Sequence, residues 1–413
     1  MISRRLIHTL LSRIESGRIE LVETYPGGQR RSFGDPAAVR QAKLEVHDPE
    51  LYGRLVRSKS IALGTSYAEG LWDSPELLDL MLIVTREIGR ADPLRRRIAP
   101  LLIPFQRIGT LKMLNTRRKA REHISSHYDA GNDMFELFLD RENMMYSSAY
   151  FEREDQSLED AQLARLERIC ELLELGADDH LLEIGTGWGG MAVHAAMTRG
   201  CRVTTTTISE EQRVYARRRV REVGLEDKVE VLGADYRDLR GRYDKLVSVE
   251  MIEAVGWEWF DTYFRRCSRL LKPDGLFFLQ AIVIDDAIYE TEKRTRSFAN
   301  ELIFPGGCLP SVEAIQSSIA SETDLRTLAL EDISASYVQT LHEWRDRFVA
   351  ATDELEALGY DERFRRLWRL YMAMSEAGFA VARIRDVQML FAKPEHERRL
   401  APDPSSRMAL PEG

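Results

Sequence analysis

The stretch Leu181-Leu182-Glu183-Ile184-Gly185-Thr186-Gly187-Trp188-Gly189-Gly190 constrains the fold more than any other part of the chain. An apolar run of strand character leads straight into a glycine-dense turn that opens a helix. Glycine admits backbone conformations that other residues avoid and lets a ligand approach the main chain. In an open α/β sheet such a turn lies at the carboxyl edge of a strand, where ligands bind. An ordinary tight strand-to-helix turn is the alternative, because a glycine-rich turn alone carries little information.

The surrounding pattern supplies the sheet. Ser157 with Asp160 has the form of a capping box, and Leu163, Leu166, Ile169, Cys170 and Leu173 then recur at helical spacing. Strands follow at 180–184, 201–208, 229–232, 245–249 and 276–283, separated by helical stretches. This alternation predicts an α/β fold with a parallel, doubly wound sheet. Past Pro305 the chain reads as mostly helical.

Residues 1–85 combine an amphipathic first helix with short alternating strands at 19–22 and 42–46, a small N-terminal α+β domain. Residues 86–121 read as a basic helical linker, 122–393 as the main domain, and 394–413 as a disordered tail with too little apolar material to fold. The length of 413 residues accommodates this division. No apolar run approaches the roughly 20 residues needed to span a bilayer, and Arg13 and Glu15 interrupt the start before a signal-peptide core forms. Cys170, Cys201, Cys267 and Cys308 are widely spaced, which fits a reducing cytoplasm and core packing. His123 and His127 lack companions at ligand spacing, so no metal is expected.

Between Leu94 and Arg121 the chain has nine Lys or Arg and no acid, although its net charge is −9. Such a segment attracts anionic headgroups while its Leu, Ile and Phe residues enter the interface. A solvated linker with one docked apolar face fits equally well. The acidity of everything else disfavours nucleic acid.

Gly185, Gly187 and Gly189 fall as G-x-G-x-G behind Glu183, whereas a dinucleotide loop has G-x-G-x-x-G. The observed spacing is the pattern of S-adenosylmethionine-dependent methyltransferases. In this kind of fold the strand tips surround the cofactor. The second tip carries Thr207 and Gln212, the latter equally readable as part of a helix cap with Ser209. The third offers Asp235 and Tyr236, an acid and a ring suited to adenine, although Asp235 fits a turn cap too.

HYDAGNDMFELFLD (127–140), MMYSSAYF (144–151), EIGTGWGG (183–190), TISEEQ (207–212), DYRDL (235–239), EMIEAVG (250–256) and IFPGGCLPS (303–311) together resemble the cyclopropane-fatty-acyl-phospholipid synthase and mycolic-acid methyltransferase family. ALGTSYAEGLWDS at 62–74 resembles its amino-terminal domain. The resemblance implies a Rossmann-like class I methyltransferase sheet with helical lid insertions. The implied reaction moves a methyl(ene) carbon from S-adenosylmethionine to the double bond of an unsaturated acyl chain in a membrane phospholipid. A cyclopropane is the first expectation; a methylene or methyl branch, or another lipid or small molecule as acceptor, is the alternative. It marks Tyr128, Tyr146, Ser147, Gly185, Gly187, Thr207 and Gln212, with Glu183, Asp235 and Tyr236, as cofactor contacts. Tyr128, Tyr146 and Tyr337 are equally suited to aromatic packing, and Glu253 to a helix start.

In the family the base is a bound bicarbonate. Carried over, its holders are Ser148 where the family has cysteine, Glu253, Gln280 where it has histidine, and Tyr337. Serine and glutamine still offer hydrogen bonds to an anion, but the imidazole is gone. Glu250 or Glu253 acting directly as base is the alternative. A homodimer is expected, in the cytoplasm and peripheral to the inner face of the membrane.

Overall fold

The computed structural model describes residues 2–110 and 131–397, with residues 94–110 described as backbone only. Among the described residues the strands are β1 (Arg18–Glu23), β2 (Arg30–Gly34), β3 (Gln41–Val46), β4 (Trp72–Asp73), β5 (His180–Ile184), β6 (Arg202–Thr206), β7 (Val229–Leu232), β8 (Tyr243–Val249), β9 (Leu271–Ile284), β10 (Arg326–Asp332) and β11 (Ile384–Ala392). They form a four-stranded sheet, ordered β2-β1-β3-β4, and a seven-stranded sheet, ordered β10-β11-β9-β8-β5-β6-β7.

In the large sheet β7, β6, β5, β8 and β9 are mutually parallel, as the alternation predicts. The far edge differs from the sequence reading. β11 inserts antiparallel between β9 and β10, so the region past Pro305 is not wholly helical. Val387, Met389 and Phe391 are buried in β11, whereas β10 is a largely exposed edge strand without a clean apolar run. Register matters for the site: β11 sets Asp386 opposite Ile282 and Gln388 opposite Gln280.

Ser157 caps the helix Leu158–Leu172 by accepting from the Asp160 N–H at 3.1 Å. Of the stripe expected there, Leu166, Ile169, Cys170 and Leu173 are buried and Leu163 is not. Leu163 is 44% exposed, whereas Arg165 is fully buried with Leu166 and Ile169. Burial of Arg165 is dictated by carboxylates on the sheet behind it, described below.

The helix Leu77–Thr110 runs unbroken through Thr85, where the sequence suggests a boundary. The helices Glu50–Ala68 and Leu77–Thr110 pack against the long helix Glu362–Ala380. Arg366 ties the layers together: its guanidinium donates to the carbonyls of Tyr67 at 2.7 Å and Trp72 at 3.0 Å and to Asp73 at 2.8 Å. It also lies 4.1 Å from the Tyr67 ring centroid. Nearby, a Cβ on Gly64 would fall 1.9 Å from the ring of Phe298, so only glycine fits there. Among the described residues no helix is long and apolar enough to cross a membrane.

Candidate active site

A cavity of about 460 Å³ opens at the carboxyl ends of β5, β6 and β8, a size typical of small-ligand sites. Its first end is built by the glycine turn. Gly185, Gly187 and Gly189 all have positive φ, and the N–H groups of Gly185 and Thr186 donate to the Thr206 carbonyl at 3.0 and 3.1 Å, fixing the turn against the next strand. A side chain at Gly185 would place its Cβ 3.3 Å from Met251. Trp188 anchors the turn by donating from Nε1 to Asn132 Oδ1 at 2.8 Å.

The loop before the helix Leu158–Leu172 reaches this end because buried Asp140 accepts from the N–H groups of Asn143 and Met145, both at 2.7 Å. That bend delivers Tyr146 and Ser147. Tyr146 stacks on Trp344 with centroids 5.2 Å apart, and its hydroxyl meets that of Tyr371 at 3.0 Å. Thr207 donates to Gln212 Oε1 at 2.8 Å, while the Gln212 N–H donates to the capping Ser209 hydroxyl at 3.2 Å. Gln212 therefore joins the helix cap and also lines the cavity. Asp235 lines it too, with its carboxylate gripping the Arg237 guanidinium at 2.8 and 2.6 Å.

Among the described residues, two buried polar atoms at this end have no hydrogen-bond partner: Ser147 Oγ and Glu183 Oε2. Burial pushes the Glu183 carboxyl up to about 8. Orphaned groups of this kind beside open main chain fit a polar nucleoside and amino-acid ligand, which would satisfy them. S-adenosylmethionine has that chemistry. Tyr128 and the two histidines His123 and His127 lie outside the described residues, as do the last eleven residues of the basic run.

The second end is apolar and aromatic, with Phe304, Leu341, Tyr371, Phe379 and Ile384 in its wall. Between the ends sit two half-buried carboxyls, Glu250 and Glu253. Glu253 Oε1 accepts from the Ile282 N–H at 2.6 Å, and its Oε2 is buried without a partner. Burial first, and the charge of Glu250 second, push Glu253 up to about 8. Glu250 accepts from the Ser148 N–H at 2.8 Å, from Gln280 Nε2 at 2.8 Å and from the Tyr337 hydroxyl at 2.7 Å.

Of the four expected holders of an anion, Glu253 and Tyr337 line the cavity, whereas Ser148 and Gln280 are fully buried and do not. The Ser148 hydroxyl donates to the Ala149 carbonyl at 2.9 Å. Gln280 Nε2 also donates to Asp386 Oδ2 at 3.0 Å, and its Oε1 accepts from Gln388 Nε2 at 3.1 Å.

Two participants escaped the sequence reading. Asp386 is fully buried, and burial with the charge of Glu250 holds its carboxyl well above the usual range. Arg165 donates from Nε to Gln162 Oε1 at 3.1 Å, but its terminal nitrogens have no hydrogen-bond partner. Burial lowers its proton affinity, and Glu250, Asp140 and Asp386 raise it. A charged residue on the apolar stripe of a helix was the available signal for Arg165.

Comparison with known proteins follows the same lines. Residues 115–389 match the model of the mycolic acid cyclopropane synthetase family. The tuberculostearic acid methyltransferase of Mycobacterium tuberculosis is 36% identical over 86% of this chain and 83% of its own. The cyclopropane-fatty-acyl-phospholipid synthase of Escherichia coli is 37% identical over 84% of this chain and 86% of its own. Among solved structures, a mycolic acid cyclopropane synthase complexed with SAH and CTAB superimposes with a TM-score of 0.62 at 29% identity, covering 66% of this chain and 98% of that one. The chain belongs to the mycolic acid cyclopropane synthetase family and is an S-adenosylmethionine-dependent C-methyltransferase of the class I fold, acting in lipid methyl or cyclopropane transfer.

Proposed function

We propose that the acceptor is the double bond of an unsaturated acyl chain carried by a membrane phospholipid, and that the product is a cyclopropane fatty acid. The observation that carries this reading is one cavity joining a glycine-turn end to an aromatic, apolar end, with the carboxyls Glu250 and Glu253 between them. S-adenosylmethionine supplies an electrophilic methyl group. An alkene is a weak nucleophile, so the chain must align it and exclude water. Tyr146, Phe304 and Phe379 supply ring faces beside a developing carbocation, which aromatic quadrupoles favour. The raised proton affinity of Glu253 favours Glu250 as the carboxylate between the two ends, since neighbouring carboxyls do not readily both ionise.

We assign cofactor contacts to Tyr146, Ser147, Glu183, Gly185, Gly187, Thr207, Gln212, Asp235 and Tyr236, and also to Tyr128. Glu253 and Tyr337 face the acyl chain; Ser148 and Gln280 act from behind it, as positioning residues. A methylene- or methyl-branched product is the second reading, favoured by the likeness to a tuberculostearic acid methyltransferase. Expression in a host lacking cyclopropane lipids should add one CH2 unit to its unsaturated fatty acids by mass spectrometry for a ring or a methylene branch, and CH2 plus two hydrogens, drawn from a reductant of the host, for a saturated methyl branch; proton NMR of the product distinguishes ring from methylene. Unchanged masses would reject a lipid olefin as acceptor.

Access to lipid is assigned to the basic run, placing the enzyme at the inner face of the cytoplasmic membrane, with a homodimer strengthening attachment through avidity. Neutralising Arg95, Arg96, Arg97, Arg117, Arg118 and Lys119 is expected to weaken binding to phosphatidylglycerol vesicles in a salt-sensitive way while leaving donor affinity unchanged. Vesicle sedimentation measures this, and undiminished binding would return the segment to a linker.

A further inference from the structure

The donors that would hold a bicarbonate are already spent on a side chain. The Ser148 N–H and Gln280 Nε2 both bond Glu250 Oε1 at 2.8 Å, and the Tyr337 hydroxyl bonds Oε2 at 2.7 Å. The Ser148 hydroxyl is turned to Ala149, and the remaining polar capacity of Gln280 goes to Asp386 and Gln388. A carboxylate presents two oxygens on one planar carbon, much as bicarbonate does. Thus the anion that these groups surround is part of the chain, and Ser148, Gln280 and Tyr337 have no donor left for a free bicarbonate. Glu250 reaches this position from a left-handed backbone, φ +47°, a conformation disfavoured for a non-glycine residue.

The environment also selects which acid is ionised. Glu250 has three donors and the buried cation of Arg165 for company. Among the described residues Asp386 has one donor to its carboxyl, from Gln280, and its Oδ1 is unpartnered; Glu253 has main-chain donors alone, its own N–H and that of Ile282. Hydrogen bonds to the charged form favour it, so the geometry favours ionisation of Glu250 before Asp386 or Glu253. Enclosure nonetheless keeps its proton affinity above that of an ordinary glutamate, which suits a base.

We propose that the Glu250 carboxylate, in place of a bound bicarbonate, is the base that takes the proton from the methylated acyl chain. This rests on the lipid reading above. The π pair of the alkene forms the new bond to the methyl carbon as the carbon–sulfur bond breaks with its electrons on sulfur. The carbocation then loses a proton from the new methyl group to Glu250. The released C–H pair closes the cyclopropane, or, after a hydride shift, becomes the double bond of a methylene branch. No reductant or oxidant is consumed, and the proton passes from Glu250 to solvent before the next turnover.

The test uses the full chain with S-adenosylmethionine and vesicles of dioleoyl phosphatidylglycerol, in buffer stripped of CO2 or supplemented with bicarbonate. Wild-type turnover should be the same in both. Glu250→Gln should lose turnover by on the order of 10³-fold, and Glu250→Gly, which vacates the anion position, should regain part of the loss on addition of bicarbonate or formate. Tyr337→Phe removes one donor from the carboxylate, raises its proton affinity and should move the acid limb of the pH–rate profile upward. Calorimetry with S-adenosylhomocysteine reports that each variant is folded and binds at the donor end. Wild-type turnover that falls when CO2 is removed, or Glu250→Gln turning over like wild type, would overturn the assignment. A wild-type enzyme that adds no CH2 to the lipid would instead sink the lipid reading.

Discussion

Arg165→Met is expected to lower stability by about 3–5 kcal/mol near pH 8, because it strips the counter-charge from a buried acidic cluster. Arg165 is 0% exposed, and the carboxyls that raise its proton affinity are Glu250, Asp140 and Asp386. The deficit depends on pH in a definite direction. Without the cation these carboxyls bind protons in the folded state at higher pH, while the unfolded chain is unchanged. An acid whose folded proton affinity exceeds its unfolded one loses stability as pH rises through that interval. The variant should therefore be closest to wild type at acid pH and fall away as the pH rises. Methionine also escapes the desolvation cost of a guanidinium, which narrows the gap further at the acid end. Thermal midpoints of both proteins across this range measure the effect; a deficit that is constant with pH would mean that Arg165 acts by packing alone. Turnover should drop with the same variant, since Glu250 would be protonated more of the time at neutral pH.

Arg366→Met should separate the two sheets. The substitution leaves the carbonyls of Tyr67 and Trp72 without their guanidinium donors and removes the partner of Asp73. Arg366 is 9% exposed, so water does not readily replace it, and a loss of about 3 kcal/mol is expected for breaking such a group of charge-assisted bonds. Hydrogen exchange resolves where the loss falls. Protection should decline in β1 and β3 before it declines in β5 and β8, because Arg366 fastens the small sheet's layer and not the large sheet itself. Uniform loss across both sheets would show that they unfold as a single unit.

The parallel half of the large sheet was legible because its strands are short apolar runs punctuated by glycine turns and separated by helical stretches. β10 and β11 were not, since β10 is an exposed edge and β11 carries Arg385, Asp386 and Gln388 among its apolar residues. Those polar positions are explained only by pairing with β9, a contact between segments about a hundred residues apart. At the site, the residue types near the glycine turn identified the methyl donor. The carboxyl cluster was only half visible. Glu250 and Glu253 stand in one motif, but which of them is ionised depends on Arg165, Asp386 and Gln280, and no local pattern brings these together. Residue-by-residue carry-over also assigned Ser148 and Gln280 to an anion, and the geometry supplies that anion from Glu250.

The fit of Phe298 against Gly64 has a consequence for how this enzyme can be divided. Phe298 immediately precedes Ala299 and Asn300, which form part of the chamber's wall, and the glycine leaves no slack behind the ring. The amino-terminal layer is thus the backstop of that wall. A truncated catalytic half would present its substrate with a surface free to recede, so the helix Glu50–Ala68 belongs to the enzyme's working parts rather than to its packaging.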